Sequence, residues 1–234
     1  MKKANLAIIP ARRGSKRIKN KNIKKFYGVP IISYAIKTAL ETKMFDKVVV
    51  STDCLKIAKL SKKLGADVPF LRSKSLSDDM TNVDEVIKHA ILWFEEHSFF
   101  YKNICCIYPT NPFLNVQVIK NVYKLLIKNK SDYAFTVSKF THNIQRGFNL
   151  SKNNKIKKKF TKYEKKRSQD LKEYYHDAGQ IYWGKRLAFK NMQNLFTAKS
   201  SAYCIPGYLT HDINTMEDWR RAELFFKILR KKKQ

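Results

Sequence analysis

No run of about 18 apolar residues occurs in the 234-residue chain, so it offers no candidate for a membrane-spanning helix. Cysteine is scarce, and Cys54, Cys105, Cys106 and Cys204 include no C-x-x-C pair. That argues against a disulfide framework or zinc site and for a reducing, cytoplasmic compartment. Cys105 and Cys106 lie inside an apolar run and read as core thiols. The sequence contains neither the G-x-G-x-x-G dinucleotide fingerprint nor a G-x-x-x-x-G-K-[ST] phosphate loop, and it has no internal repeat. With 44% hydrophobic residues, disorder is excluded as well.

Acidic residues are the other shortage: 19 Asp and Glu face 48 Lys and Arg, a net charge of +29. Such a charge invites a nucleic-acid-binding reading. Only ten of the cations are Arg, however, and the lysines are spread along the chain among Asn, Ile and Phe. Outside 155–175 they do not form a basic stripe interleaved with aromatics. The charge therefore reads as composition bias together with a need to hold anionic substrates. A basic nucleic-acid-binding protein is the competing class, recognisable by salt-steep binding without turnover.

What is present is an alternation of strand and helix patterns over the first 137 residues. Met1 to Pro10 starts basic but has only a short apolar run, a poor signal peptide and a good first strand at Leu6–Ile9. A basic loop follows over 12–29. Helical spacing starts at Ile31, and Lys47–Ser51 reads as a buried strand. Leu55–Leu64 reads as a helix stopped by Gly65, and Val68–Leu71 as an edge strand limited by Pro69. Val83–Phe94 is helical, Ile104–Tyr108 a strand, Val116–Ile127 a helix and Ala134–Val137 a strand. Residues 138–175 break this rhythm as a polar, basic, tyrosine-bearing insert. Strands at Gln180–Trp183 and Ala202–Ile205 then precede a last helix, Glu217–Leu229, with Thr215 and Asp218 as a capping pair. Lys231-Lys232-Lys233 reads as a solvated tail. This order implies an α/β protein with a mostly parallel sheet and a ligand cleft beyond the carboxyl ends of the strands.

The segment after the first strand carries the strongest chemical signal. Arg12, Arg13, Lys16, Arg17, Lys19 and Lys21 crowd around Gly14. Backbone N–H groups and clustered cations are what a polyphosphate requires. At this point the chain resembles the sugar-acid cytidylyltransferases, the CMP-sialic acid synthetases. The resemblance rests on Ile9-Pro10-Ala11-Arg12-x-Gly14-Ser15-Lys16 with Lys21-Asn22. Four further motifs follow in order: Ser51-Thr52-Asp53; Val68-Pro69-Phe70-Leu71-Arg72 ahead of Leu76-Ser77-Asp78-Asp79; Tyr108-Pro109-Thr110-Asn111-Pro112-Phe113; and Asp212-Ile213-Asn214-Thr215 before Asp218-Trp219. Within the family, Cys105-Cys106-Ile107-Tyr108 and the stretch from Tyr174 to Gly184 are similar to the branch that activates pseudaminic acid. His176-Asp177-Ala178-Gly179 replaces the Arg-x-Asn-Gly of N-acetylneuraminate enzymes. Tyr108-Pro109-Thr110 does not fit the acidic turn of 3-deoxy-octulosonate enzymes.

The resemblance implies a Rossmann-like, three-layer nucleotidyltransferase fold forming one domain over 1–234, with 138–175 as an inserted dimerisation arm and a homodimer as the assembly. Lys155–Lys166 of that arm would lend cations to the partner's substrate. The implied reaction joins CTP to an acidic nine-carbon sugar and releases pyrophosphate, with Mg²⁺ or Mn²⁺ as cofactor. N-acetylneuraminate, legionaminate and 3-deoxy-octulosonate are the alternative sugar acids. Arg12, Lys21 and Asp212 form the implied catalytic set. Ala11, Gly14, Ser15, Lys16 and Asn22 help hold triphosphate or ribose. Arg72 lies near the cytidine, unless it pairs with Asp78 or Asp79. Tyr108, Thr110, His176, Asp177 and Gln180 meet the sugar, and Asp212 and Asn214 hold the metal. Family members usually carry Asp-x-Asp there, two carboxylates on one side of an extended segment. Asn214 keeps the oxygen but loses a charge, so weaker metal affinity follows. His211 stands behind Asp212; His89, His97 and His142 read as surface or helix residues. No general base stands out.

Overall fold

Strand β1 (Asn5–Pro10) is buried along its length. Its side chains alternate with period two, Leu6 and Ile8 entering one apolar layer and Ala7 and Ile9 the other. A strand buried on both faces must lie in the middle of three layers, and the remaining elements bear this out. In this computed structural model, which describes residues 5–163 and 165–231, β1 leads through a short hairpin, β2 (Lys25–Phe26) and β3 (Val29–Pro30), into α1 (Ile32–Glu41). Then come β4 (Lys47–Ser51), α2 (Leu55–Lys63), α3 (Val83–Glu96), β5 (Asn103–Ile107), α4 (Val116–Lys128) and β6 (Tyr133–Lys139). After an excursion bearing β7 (Phe148–Leu150) and β8 (Ile156–Lys158), the chain returns as β9 (Tyr175–Lys185), α5 (Arg186–Lys190), β10 (Ser200–Cys204) and α6 (Met216–Lys231). Lys232 and Lys233 of the expected basic tail lie outside the described residues.

The central sheet has six strands in the order β10-β6-β9-β5-β1-β4. β1 runs parallel to β4 and β5, and β10 parallel to β6; β9 alone is antiparallel, to both β5 and β6. Helices α1, α2 and α4 cover one face and α3 and α5 the other. Neighbouring Cys105 and Cys106 fall in opposite layers, both core thiols as expected. This is the Rossmann-like α/β architecture. No helix among the described residues is long and apolar enough to cross a membrane.

Three details depart from expectation. The expected strand at 68–71 is not continuous: the chain makes only isolated bridges at its flanks, Val49 with Asp67 and Thr52 with Leu71, because Pro69 between them has no N–H to continue a ladder. β9 runs well beyond Gln180–Trp183 and carries a bulge opposite Phe135 and Val137. The β2–β3 hairpin and α5 had no sequence-level signal strong enough to separate them from loop. The capping pair on α6 is present in full. Thr215 N–H donates to Asp218 Oδ2 at 2.8 Å, and Asp218 N–H donates back to Thr215 Oγ1 at 3.2 Å. The insert leaves from β6 and rejoins at β9 through Phe140 N–H to Tyr174 O (3.0 Å) and Gln145 Nε2 to Lys172 O (2.9 Å). Every residue of its two hairpin strands, β7 and β8, is exposed.

Gly184 is required by packing. A Cβ there would lie 2.6 Å from Tyr133 Cδ1 and 2.8 Å from Phe189 Cε2, both buried. Gly184→Ala is expected to destabilise the fold by about 1–3 kcal/mol in urea unfolding. Gly14→Ala, which meets nothing within 4 Å, should leave the midpoint unchanged.

Candidate active site

The loop after β1 is held as a rigid arc by contacts made behind it. Ala11 N–H donates to Ser51 O at 2.9 Å, prolonging the sheet by one residue. Arg13 N–H donates to Asp53 Oδ1 (2.7 Å), and buried Asn22 donates through Nδ2 to Arg12 O (2.9 Å). Ile18, 2% exposed, plugs an apolar cluster with Phe26, Phe113, Ile213 and Trp219. Lys21 Nζ donates to Ile213 O at 2.7 Å. The loop is thereby tied to the segment ahead of α6, and Arg12, Lys16, Arg17 and Lys21 line a hollow of about 370 Å³ with Gly14, Ser15 and Thr110. Burial lowers the Lys21 pKa, Asp212 opposes that shift, and Arg17 and Arg12 add to it. An anion in this hollow relieves the repulsion.

One protein anion already sits there. Asp79 pairs with Arg12 at 2.8 Å and with Lys16, and Arg12 also donates to the Asp78 carbonyl. Asp78 closes its own turn by accepting from Thr81 N–H and Oγ1, both at 2.7 Å. Asp79 thus neutralises part of the charge these cations concentrate.

A second hollow, of about 340 Å³, adjoins the first through Arg12 and is lined by Arg72, Leu76, Thr81, Val83 and Tyr108. Arg72 is 5% exposed, donates its N–H to Thr52 O (2.8 Å) and its Nε to Ser77 Oγ (3.0 Å). The alternative of an ion pair with Asp78 or Asp79 is not realised. Its terminal guanidinium nitrogens make no hydrogen bond among the described residues, so they are available to a ligand carbonyl. A third hollow, of about 300 Å³, opens on the other side of Tyr108 and Val83 and contains Asp84, Tyr133, Asp177 and Tyr182. Asp177 accepts from Gly179 N–H (2.9 Å) and from the Tyr182 hydroxyl (2.6 Å).

The residues expected at a sugar are therefore dispersed. Tyr108 and Asp177 line the third hollow, whereas Thr110 lines the cationic one. Gln180 is 1% exposed, donates to Leu209 O at 2.7 Å and lines none of the three hollows, so it braces the loop after β10. His176 pairs with Ser138 across β6, packs edge-on to Phe140, and lines none of the three either. Asp79 and Asp84 were not expected as site residues. Asp79 was weighed only as a partner for Arg72, and Asp84 was hidden in the first turn of a helix pattern.

At the metal-associated segment, exposed Asp212 stands beside Lys21. Asn214 Oδ1 accepts from Arg17 at 2.8 Å, and its Nδ2 donates to Asp212. The amide oxygen is thus engaged by a cation, and the exposed Asp212 carboxylate is the hard oxygen group of this segment. No group of three or more His, Cys, Asp or Glu side chains suited to a metal occurs among the described residues. One carboxylate suits Mg²⁺, which is bound by few protein oxygens and completes its shell with phosphate and water. His211 is packed between Phe113 and Phe225, its Nε2 lies 3.0 Å from Tyr208 O, and burial lowers its pKa.

A parallel sheet whose first loop gathers cations beside a cleft defines a nucleotide-transferring enzyme. The chain belongs to the cytidylyltransferase family, whose model matches residues 6–215. It is 42% identical over 224 residues to pseudaminic acid cytidylyltransferase of Campylobacter jejuni subsp. jejuni serotype O:2, covering 96% of this chain and 97% of that protein. It is 38% identical over 220 residues to a Helicobacter pylori protein named as a pseudaminic acid cytidylyltransferase and UDP-2,4-diacetamido-2,4,6-trideoxy-beta-L-altropyranose hydrolase, covering 93% of this chain and 42% of that protein. Among solved structures, CMP:2-keto-3-deoxy-manno-octonic acid synthetase complexed with CTP superposes with a TM-score of 0.71 at 13% identity, covering 95% of this chain and 98% of that one. The last likeness is one of fold.

Asp79 competes with any anion for Arg12 and Lys16. Asp79→Asn is expected to tighten binding of inorganic tripolyphosphate a few-fold, as suits exposed ion pairs. Isothermal titration at two salt concentrations measures this; weaker binding in the variant would make Asp79 a support of the site.

Proposed function

We propose that the chain transfers CMP from CTP to an acidic nine-carbon sugar, pseudaminic acid, releasing pyrophosphate. The observation that carries this reading is the cationic hollow of Arg12, Lys16, Arg17 and Lys21 at the end of β1, continuous with a hollow lined by buried Arg72. The near full-length likeness to pseudaminic acid cytidylyltransferases supports the choice of sugar.

The anomeric hydroxyl of the sugar attacks the α-phosphorus, the P–O bond to the β-phosphate breaks, and the pyrophosphate carries the charge away. Negative charge grows on phosphoryl oxygens, so fixed cations do the main catalytic work. Arg12 and Lys21 clamp the triphosphate from opposite sides of the loop. Gly14, Ser15 and Lys16 line its path, while buried Ala11, bonded to Ser51 O, and Asn22, which holds the Arg12 carbonyl, keep the loop shape. Arg72 reads the base. Tyr108 and Asp177 face the sugar. Asp212, with the Asn214 amide oxygen that now accepts from Arg17, would hold Mg²⁺, which would supply further positive charge to the phosphates. The exposed β7–β8 hairpin, with Phe148, Leu150 and Ile156 open to solvent, suits a homodimer arm. The four free cysteines suit a cytoplasmic setting.

Pyrophosphate release measured with CTP, Mg²⁺ and a panel of sugar acids tests the assignment; turnover of pseudaminic acid no better than of the others would remove that sugar. Asn214→Asp places a second carboxylate beside Asp212 and close to Asp218, whose Oδ2 accepts from the Asn214 backbone N–H at 3.1 Å. It is expected to lower the Mg²⁺ concentration for half-maximal activity. An unchanged requirement would place Asn214 outside the metal site.

A further inference from the structure

The third hollow contradicts the charge of the chain that builds it. Basic residues outnumber acidic ones 48 to 19, yet no Lys, Arg or His lines this hollow, and two carboxylates do. The two converge. With burial, Asp84 and Asp177 together raise the pKa of the Cys106 thiol, and both also raise that of the Tyr108 phenol. Asp177 is fixed by its bonds from Gly179 and Tyr182. Asp84, exposed in the first turn of α3, forms no hydrogen bond or ion pair among the described residues. Ionised, each carboxylate is acceptor-only. The rest of the wall is mostly aromatic and apolar, with Tyr133, Tyr182, Phe189 and Phe196, and carries two neutral amides, Gln193 and Asn194. The cleft is therefore polar in a second sense: cationic at the β1 loop and anionic across Tyr108.

We propose that Asp84, with Asp177, orients the sugar acid by taking its acylamino-bearing end into this hollow. The inference deepens the cytidylyl-transfer reading and rests on it. A 2-ulosonic acid carries its carboxylate on the anomeric carbon, so the charged end and the nucleophilic hydroxyl are the same end. Entering carboxylate first, it would meet two like charges and no cation. Entering with the acylamino groups first, it offers N–H and O–H donors to two acceptors and acyl methyls to the aromatic wall. That orientation leaves the anomeric hydroxyl toward Arg12 and the α-phosphate. Asp84 selects a direction of binding, and the reaction uses only one direction. A first-turn Asp also favours a helix dipole, a role that stabilises α3 without touching substrate.

The test uses Asp84→Asn and Asp84→Ala in steady-state assays of pyrophosphate release. The substrates are CTP with a doubly N-acylated nonulosonic acid, or with singly N-acylated N-acetylneuraminate. Asp84→Ala is expected to raise KM for the doubly acylated acid about tenfold, the scale of a hydrogen bond to a charged group. KM for CTP should stay within about twofold, and preference between the two sugar acids should shrink in step. Asp84→Asn keeps the shape and should show a smaller loss of the same kind. Unchanged sugar KM with a lowered thermal midpoint would assign Asp84 to the helix alone and overturn the inference, as would equal rises in both KM values. Wild-type protein that releases no pyrophosphate with any sugar acid would overturn the cytidylyl-transfer reading and this assignment with it. Brisk turnover indifferent to Asp84 would overturn this assignment only.

Discussion

Like charges crowded into one short loop are the constraint around which this structure is arranged. Arg12, Lys16, Arg17 and Lys21 face a common hollow, and each repels the others. Nothing local favours that arrangement, so it is imposed from behind. Ile18 is driven into the cluster with Ile213 and Trp219, and burying an isoleucine is worth about 1.5–3 kcal/mol. The Lys21 bond to Ile213 O and the Arg13 bond to Asp53 fix the two ends. Asp79 then neutralises what the scaffold has concentrated. The hydrophobic pin holds the cations in place, and the Asp79 carboxylate offsets their mutual repulsion.

The pin also explains why the chain's last helix belongs to the site. α6 contributes Trp219 and Ala222 to the same cluster as Ile18 and Phe26. Its capping pair fixes Thr215, one residue beyond Asn214. Asp212 and the cationic loop are therefore positioned by one apolar contact, although some 190 residues separate them in sequence. Displacing Trp219 would disturb both partners together, and a loss of phosphate affinity from that site would reflect geometry, since Trp219 lines none of the three hollows.

Much of the scaffold was legible because burial imposes period and the periods are clean. Lys47–Ser51 is a strand with the boundaries expected, and the helices at 55–63, 83–96 and 116–128 differ only at their ends. The phosphate loop was legible because cations and a glycine after a buried strand admit few structural reasons. What was not legible is what depends on contacts remote in sequence. Gln180 reads as a polar side chain aimed at a ligand, but the β9 pleat turns it inward to Leu209. Asp79 reads as half of an acidic pair, and only the return of its loop over β1 gives it Arg12. Asn214 reads as a metal ligand, yet its oxygen meets an Arg17 that no local pattern places there.

The large net charge says little about the cleft, because exposed lysines farther away than about 10 Å are screened by salt. The scarce acids say more. In a chain with only 19, Asp53 holds the phosphate loop, Asp79 pairs with its cations, Asp212 stands at its open side and Asp218 caps the helix beside it. Asp84 and Asp177 line the adjoining hollow. Composition bias can scatter lysine over a surface without consequence, but it gives no reason for acids to collect where the fold opens. Their placement fits what the proposed anionic substrate requires: cations to receive it, a carboxylate that neutralises those cations, and an acidic far wall to turn its neutral end inward.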